Sequence, residues 1–307
     1  MENQELAGEV ITLLDQLALG LADPHGDLDV LEDIEEQLIA AQQAALVPRL
    51  KAYLDAAAES GNWYARSVLA NVLASTDGRS SLAVLLRAHS RDLGDDQDRL
   101  ATRLYVFAQE DPAAARRVLL PWAEDSDQEL RRAAIRLLGY VPEAADLTLL
   151  AKEAQDRDER VRTAAVGTLG SHHAKPEAVS LLVSLLSDPS PQVRVSVLSS
   201  LGFLQQSSAL PAICRLADDS SSRVRAWVAI ALGRFQAAQS GSPATAAALD
   251  RLQADPDPMS AKERQLPARV PDLAADHHTP KQSCCPRPPT GHRKASPAIF
   301  KALSAVP

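Results

Sequence analysis

Residue types that bind zinc are concentrated late in the sequence, where Cys284 and Cys285 are accompanied by His277, His278 and His292. Structural zinc sites usually separate paired cysteines by roughly two to four residues, because both thiolates must reach one tetrahedral ion. Adjacent cysteines in a proline-rich setting lack that spacing. The pattern therefore predicts no metal site, and no other part of the sequence predicts a cofactor.

A cluster of carboxylates, Asp156, Asp158 and Glu159, could supply acid–base chemistry if the groups converged on a cleft. The same cluster is also typical of a helix start, where the helix dipole stabilises negative charge. The sequence shows no glycine-rich phosphate loop, nucleophile elbow or zinc-protease helix motif. We therefore predict that the chain is not an enzyme. We also expect His172 and His173 to lie exposed in a turn and to have no role.

Basic residues form one local excess, of five arginines within about twenty residues, that could contact phosphates. They are Arg116, Arg117, Arg131, Arg132 and Arg136. The remaining charge argues against a nucleic-acid partner: residues 1–48 contain 11 acidic and no basic residues, and residues 49–254 contain 24 of each sign. The acidic segment would repel phosphate. Nucleic-acid binding is accordingly the less favoured alternative.

The regular recurrence of arginine follows an internal repeat. Four segments align without a gap, residues 125–139, 156–170, 188–202 and 219–233. Each begins with Asp, has Leu or Val five residues later and Arg at the sixth position, and ends with Gly eight residues after the Arg. Successive Asp residues are 31, 32 and 31 positions apart. That period is long enough for two short helices and their turns.

The apolar spacing inside the repeat predicts helical hairpins. Val161, Ala165, Val166 and Leu169 fall on one face of a helix, and further apolar stretches at helical spacing separate the four segments. We predict that each Asp opens the second helix of its hairpin by accepting a hydrogen bond from a free backbone N–H. The segment-ending residues Gly139, Gly170, Gly202 and Gly233 are predicted to end those helices in the left-handed conformation.

The D-x-x-x-x-V-R-x-x-A-x-x-x-L-G pattern resembles HEAT repeats, and more narrowly the short bacterial subclass first recognised in phycobilin lyases. The resemblance covers residues 125–233 and implies an all-α, right-handed superhelical solenoid of stacked hairpins. It also implies a ladder in which the Asp and Arg of successive repeats hydrogen-bond to one another. The residues in these positions are Asp125, Arg131, Asp156, Arg162, Asp188, Arg194, Asp219 and Arg225.

Four regions are predicted along the chain. Residues 1–46 form an acidic helical cap, and residues 47–124 form degenerate repeats with Ala101 where the ladder arginine would stand. Well-formed repeats occupy residues 125–254, the last hairpin being incomplete. Residues 255–307 contain 10 of the 20 prolines and are predicted to be disordered. Such an ending would expose an apolar edge at Ala247, Leu249 and Leu252, through which the chain could associate with another copy.

The sequence predicts a scaffold that binds a protein of unknown identity on the concave face lined by its second helices. Six residues are candidates for partner binding: Arg132, Arg136, Thr163, Ser196, Ser199 and Trp227. Trp227 replaces the small residues of the other repeats, and aromatic anchors are favoured in interfaces. The alternative implied by the family resemblance alone is a phycobilin-lyase-like, chromophore-handling protein. No apolar segment is long enough to span a membrane and no export signal opens the chain, so a cytoplasmic location is expected.

Overall fold

The computed structural model describes residues 2–23, 25–91, 99–172, 175–237 and 243–253, the side chains of residues 2–7 and 99 excepted. Within these ranges every regular element is a helix. The chain forms an all-α solenoid of stacked helical hairpins, as predicted. None of the described helices has the length and apolar character needed to cross a bilayer. The predictions for residues 255–307, including Cys284 and Cys285, lie outside the described ranges, as does His173.

Two compact units divide between Leu137 and Leu138. The first unit contains α1 (Glu2–Ala22), α2 (Leu28–Ala41), α3 (Val47–Glu59), α4 (Trp63–Asp77), α5 (Leu82–Ser90), α6 (Arg99–Glu110), α7 (Pro112–Trp122) and α8 (Gln128–Leu138), the last ending at the boundary. Helix α1 packs on α2, α3 on α4, and α5 on α6, while α4 contacts both α2 and α6. The core of the first unit includes the fully buried side chains of Tyr53, Leu69 and Leu85.

The second unit contains α9 (Asp146–Glu153), α10 (Glu159–Ser171), α11 (Pro176–Ser184), α12 (Pro191–Leu204), α13 (Leu210–Arg215), α14 (Ser222–Ala237) and α15 (Pro243–Gln253). The second helices of the repeats, α10, α12 and α14, lie side by side, and the shorter first helices α9, α11, α13 and α15 pack against them.

The repeat Asp does not itself cap the second helix, which corrects our prediction. Helix α12 is capped by Ser190, whose hydroxyl accepts the N–H of Gln192. Asp188 lies two residues earlier, and its carboxylate accepts the N–H of Ser190 at 2.8 Å. The same arrangement precedes α10, where Asp156 accepts the N–H of the capping residue Asp158. Each Asp therefore shapes the turn that leads into the cap, because a short carboxylate readily binds the backbone two residues on.

The repeat glycines were also assigned the wrong role in three of four cases. Helix α8 ends directly before Gly139, although Gly139 does not have the predicted positive φ, and Gly170, Gly202 and Gly233 lie inside helices that continue beyond them. Helix α12 instead ends at Gln205, which adopts the left-handed conformation. A Cβ on Gly202 would lie only 3.2 Å from the Ala231 Cα. The absence of a side chain at Gly202 therefore favours the close approach of α12 and α14.

The last described helix is less exposed than predicted. Helix α15 packs against α13 and α14, and Leu252 is only 2% exposed. Leu252 is buried in this packing, so it does not belong to an exposed apolar edge. Ala247 is exposed and Leu249 half-buried on the same helix.

Candidate functional site

Arginines of the repeat join neighbouring hairpins of the second unit. Arg162 donates Nε and Nη2 to the two carboxylate oxygens of Asp188, at 2.8 and 2.9 Å. Arg194 binds Asp219 in the same bidentate way, at 2.9 and 2.7 Å. The hydrogen bonds that Arg162 donates to Asp188 raise the pKa of Arg162 further above its already high normal value. Bidentate pairs of this kind fix the relative position of both partners.

The same arginines also close the turn of their own repeat. Each donates Nη1 to the backbone carbonyl of the Asp six residues earlier: Arg131 to Asp125 at 2.7 Å, Arg162 to Asp156 at 2.9 Å, Arg194 to Asp188 at 2.8 Å and Arg225 to Asp219 at 2.8 Å. Each arginine thus hydrogen-bonds a backbone carbonyl of its own turn. Arg162 and Arg194 also bind the Asp of the following hairpin. These contacts give the repeat arginines a structural role, so they do not form a basic stripe that is open to a ligand.

The carboxylate cluster at the start of α10 is occupied by structural contacts. Asp158 accepts the N–H of Arg160 as the helix cap, and Asp156 accepts the N–H of Asp158. Glu159 accepts the Ser190 hydroxyl across the gap to the next hairpin. These carboxylates therefore build the turn and link adjacent repeats.

Helices α12 and α14 lie in register along their whole length. At one end Arg223 donates to the side-chain oxygen of Gln192 at 2.8 Å. At the other end the guanidinium carbon of Arg234 lies 4.0 Å from the centre of the Phe203 ring, a cation–π contact. Trp227 lies between these two contacts, four residues after Arg223, so it neighbours the equivalent position on α12, Ser196.

We call the accessible row formed by Phe203 of α12 and Arg223, Trp227, Ile230 and Arg234 of α14 the α12–α14 stripe. Phe203 is 47% exposed, Arg223 is exposed, and the other three side chains are half-buried. Phe203 and Arg234 occupy the same repeat position on the two helices, one residue past the aligned segment. The stripe combines two aromatic rings, an aliphatic side chain and two guanidinium groups on neighbouring helices.

The partner-binding candidates named from the sequence are distributed over both units. Trp227, which belongs to the stripe, is half-buried on α14, and Ser196 and Ser199 are half-buried on α12. Thr163 is half-buried on α10, where its hydroxyl donates to the Glu159 carbonyl at 2.7 Å. Arg136 is exposed on α8, which ends the first unit.

Two arginines expected on the surface are not available there. The Arg132 side chain is only 12% exposed and donates to Glu129 one turn earlier, at 2.7 Å. Arg116 is buried at 6% exposure. Both findings weaken the local basic excess on which the nucleic-acid alternative depended.

A buried histidine was missed from the sequence. His172, expected to be exposed in a turn, is 5% exposed, and its Nε2 lies 3.9 Å from the Asp146 carboxylate, which is 2% exposed. His172 follows α10 and Asp146 begins α9, so the pair brings these two helices together. His172 therefore takes part in packing inside the second unit.

Two solved structures illustrate the likeness of this chain to known proteins. Escherichia coli YibA is 15% identical, with 83% of this chain and 98% of that chain covered and a TM-score of 0.43. Human deoxyhypusine hydroxylase, solved in complex with glycerol, is 19% identical, with 86% and 96% covered and a TM-score of 0.34. No curated protein sequence matches this chain.

The second of these structures contradicts our prediction that the chain is not an enzyme, which rested on the absence of known catalytic motifs. Deoxyhypusine hydroxylase is an enzyme with HEAT repeats. A likeness this distant does not establish an activity for this chain either.

The sequence profile of the family described as HEAT repeats matches residues 116–189 and residues 179–264. The matched stretches span every helix from α8 to α15 and include both bidentate Arg–Asp pairs. The match is to HEAT repeats in general, and membership of the phycobilin-lyase-like subclass stays a prediction. Residues 116–264, just under half of the chain, are therefore similar in sequence to HEAT repeats.

Proposed function

We propose that this chain is a protein-binding scaffold whose partner docks on the α12–α14 stripe. The observation that carries the proposal is the presence of two partly accessible aromatic rings, Phe203 and Trp227, on neighbouring second helices. In the other repeats the position of Trp227 holds Ala133, Ala164 or Ser196. Repeat packing therefore does not require a large ring there.

The residue types of the stripe favour protein recognition. Trp, Tyr and Arg are the side chains most enriched among residues that dominate binding energy. A rigid aromatic ring contributes a large apolar area, and only two torsions are fixed when it binds. Among the side chains that the structure describes, Phe203 is one of four large apolar ones that are more than a third exposed. Burial of such rings by a partner would stabilise the complex.

The helices under the stripe are held in place before any partner arrives. The Arg194–Asp219 pair fixes the turn before α14 to the start of α12, and Gly202 lets the two helices touch. A preorganised surface loses little conformational entropy on binding. The ladder and the stripe thus support one function, the first as a frame and the second as the contact surface.

The test is affinity capture from native cell extract with the full chain and with a Phe203→Ser, Trp227→Ser variant. We expect the intact chain to retain a specific protein, and the variant to retain at least about tenfold less, since each lost anchor removes roughly 2 kcal/mol. The matched control is Val30→Ser, which removes an apolar side chain that is 51% exposed on α2. Equal retention by all three proteins, or equal loss in the control, would show that the stripe is not the binding surface.

A further inference from the structure

We infer that residues 298–306 of this chain bind, as a short amphipathic helix, to the α12–α14 stripe of the same molecule and compete there with the partner. This inference rests on the proposed function of the stripe and describes how that site is regulated. It is drawn from the apolar pattern of residues 298–306 and from the dimensions of the stripe.

Residues 298–306 differ in composition from the sequence that precedes them. Their sequence, AIFKALSAV, contains no proline, whereas residues 254–297 contain nine. Four large apolar residues recur at helical spacing: Ile299, Phe300, Leu303 and Val306. In a helix these four fall on one face, and Lys301 falls on the opposite face. The pattern therefore predicts an amphipathic helix, which becomes stable when its apolar face is covered.

The α12–α14 stripe presents apolar groups at a matching distance. Trp227 and Arg234 are seven positions apart on α14, which is about 10 Å along a helix. The Phe203 ring lies against Arg234, at 4.0 Å from the guanidinium carbon. Ile299 and Val306 are also seven positions apart. A helix laid along α14 would therefore place one end of its apolar face on Trp227 and the other end on Phe203.

Binding in this way would bury apolar surface on both partners. Phe203 is 47% exposed and Trp227 is half-buried, so each ring still has area that a helix can cover. The gain from apolar burial offsets the chain entropy that is lost when the segment becomes ordered. Lys301 points away from the stripe in this arrangement, so its charge does not approach the arginines of α14.

The covalent connection makes even a weak contact effective. Helix α15 ends at Gln253 and packs against α14, so the connection begins beside a helix that carries the stripe. Residues 254–297 can extend over more than about 100 Å. A tether of this length gives a local concentration on the order of 1 mM, so a segment with a dissociation constant of about 1 mM would occupy the stripe half of the time.

A second copy of the chain carries the same segment but lacks this advantage. Without the tether, residues 298–306 of another molecule would have to reach a protein concentration of about 1 mM for the same occupancy. The intramolecular contact is therefore favoured at ordinary concentrations. Binding between copies is an outcome that the experiment detects.

The experiment measures how accessible Trp227 is in the full chain. Trp63→Phe and Trp122→Phe leave Trp227 as the only tryptophan. In this background Phe300→Ser with Leu303→Ser disrupts the apolar face of the segment. We expect the acrylamide quenching constant of Trp227 to rise at least about 1.5-fold and its emission to move to longer wavelength, because the ring is no longer covered.

The matched control changes two residues outside the apolar face. Ala302→Ser with Ala305→Ser introduces the same number of serines into the same segment, and should leave the quenching constant within about 1.2-fold of that of the parent protein. Circular dichroism checks that both variants keep the helices of the two units.

Photo-crosslinking tests where the segment binds. With p-benzoylphenylalanine in place of Phe300, irradiation should link the segment to α12 or α14. An equal mixture of isotope-labelled and unlabelled chains should give links only within one isotopic species, because the contact is intramolecular. Native capture should also rise at least about 1.5-fold in the Phe300→Ser, Leu303→Ser variant, since the segment no longer competes with the partner.

Three results would overturn the inference: equal quenching in the parent protein and both variants, links mainly to helices of the first unit, or links between labelled and unlabelled copies. Failure of the proposed function is distinguishable, because quenching and crosslinking involve no partner. If quenching is equal but native capture still depends on Phe203 and Trp227, the scaffold proposal stands and regulation by residues 298–306 is wrong.

Discussion

Arg194 makes several hydrogen bonds that hold two hairpins of the second unit together. It donates to both carboxylate oxygens of Asp219 and to the carbonyls of Asp188 and Pro189, and it is 8% exposed. Arg194→Met keeps much of the side-chain volume but leaves the Asp219 carboxylate and the turn carbonyls without these donors. We expect the free energy of unfolding of the second unit to fall by about 3 to 5 kcal/mol, the usual cost of breaking a buried ion pair. Urea denaturation of the intact chain and the variant measures this change in the free energy of unfolding.

An exposed ion pair in the same unit is the control for this prediction. Arg251 binds Asp218 at 2.9 Å, but the two side chains are 55% and 70% exposed. Solvent screens such pairs, so Arg251→Met should cost less than about 1 kcal/mol. If both substitutions have similar small effects, the Arg194 pair does not hold the hairpins together.

Tyr53 makes a pH-dependent contribution to the stability of the first unit. Its hydroxyl donates to Asp15 at 2.7 Å, and Asp15 also binds Arg49 at 2.9 Å. Burial, and then the hydrogen bond to the carboxylate, raise the pKa of Tyr53 well above its usual value of 10.0. The neutral phenol is therefore the form that the folded state favours. Its contribution to stability is complete below about pH 10 and is lost as the pH rises through the higher folded-state pKa.

The measurement compares the intact chain with Tyr53→Phe between pH 9 and pH 11.5. Above pH 10 the intact chain should lose stability faster than the variant, by up to about 1.4 kcal/mol per pH unit, because only its unfolded state releases this proton. Phenolate absorbance from Tyr53 should appear only on unfolding. Parallel pH profiles for the two proteins would contradict this assignment.

At the level of helices, Gly202 and Gly233 should respond to alanine in opposite directions. A Cβ at Gly202 would lie 3.2 Å from the Ala231 Cα, whereas a Cβ at Gly233 would have no neighbour within 4 Å. Gly202→Ala should force α12 and α14 apart and cost roughly 1 to 3 kcal/mol. Gly233→Ala should stabilise α14 by up to about 1 kcal/mol, since alanine favours helices. Thermal unfolding distinguishes the two, and a stabilising Gly202→Ala would refute the close-packing role.

The helices were predictable because their apolar spacing repeats, and the helix ends were not. From the sequence, a glycine eight residues after Arg194 reads as a stop signal. In the structure the helix continues to Leu204, because the missing side chain of Gly202 is needed for contact with Ala231. A contact between repeats depends on how the helices stack, and the spacing of residues within one repeat does not contain that information.

The candidate surface was predictable only in part, for a similar reason. Trp227 was found because it departs from the small residues at its repeat position. Phe203 was missed because it lies one residue past the aligned segment, and its contact with Arg234 joins two helices. Arg132 was wrongly placed on the surface because its partner, Glu129, lies one turn away on the same helix. A sequence pattern records residue types but not which side chains pair.

Over the whole molecule, different residues join the repeats in the two units. In the second unit the links are Arg–Asp pairs. In the first, Asn71 donates to Glu35 at 2.6 Å and accepts from Arg103 at 3.1 Å, which connects α2, α4 and α6. Contacts in repeat proteins run mainly between neighbours, so stability is approximately a sum of local terms. A substitution in one unit should therefore act mainly on that unit.

The tryptophans allow this to be measured, because Trp227 is in the second unit while Trp63 and Trp122 are in the first. A Trp63→Phe, Trp122→Phe protein reports on the second unit, and a Trp227→Phe protein reports on the first. Adding Arg194→Met should lower the urea midpoint seen by Trp227 and leave the other midpoint within experimental error. Equal shifts in both reporters would mean that the 307-residue chain unfolds as one cooperative body. The Arg194 pair would then stabilise every repeat at once, instead of acting as a local link between two hairpins.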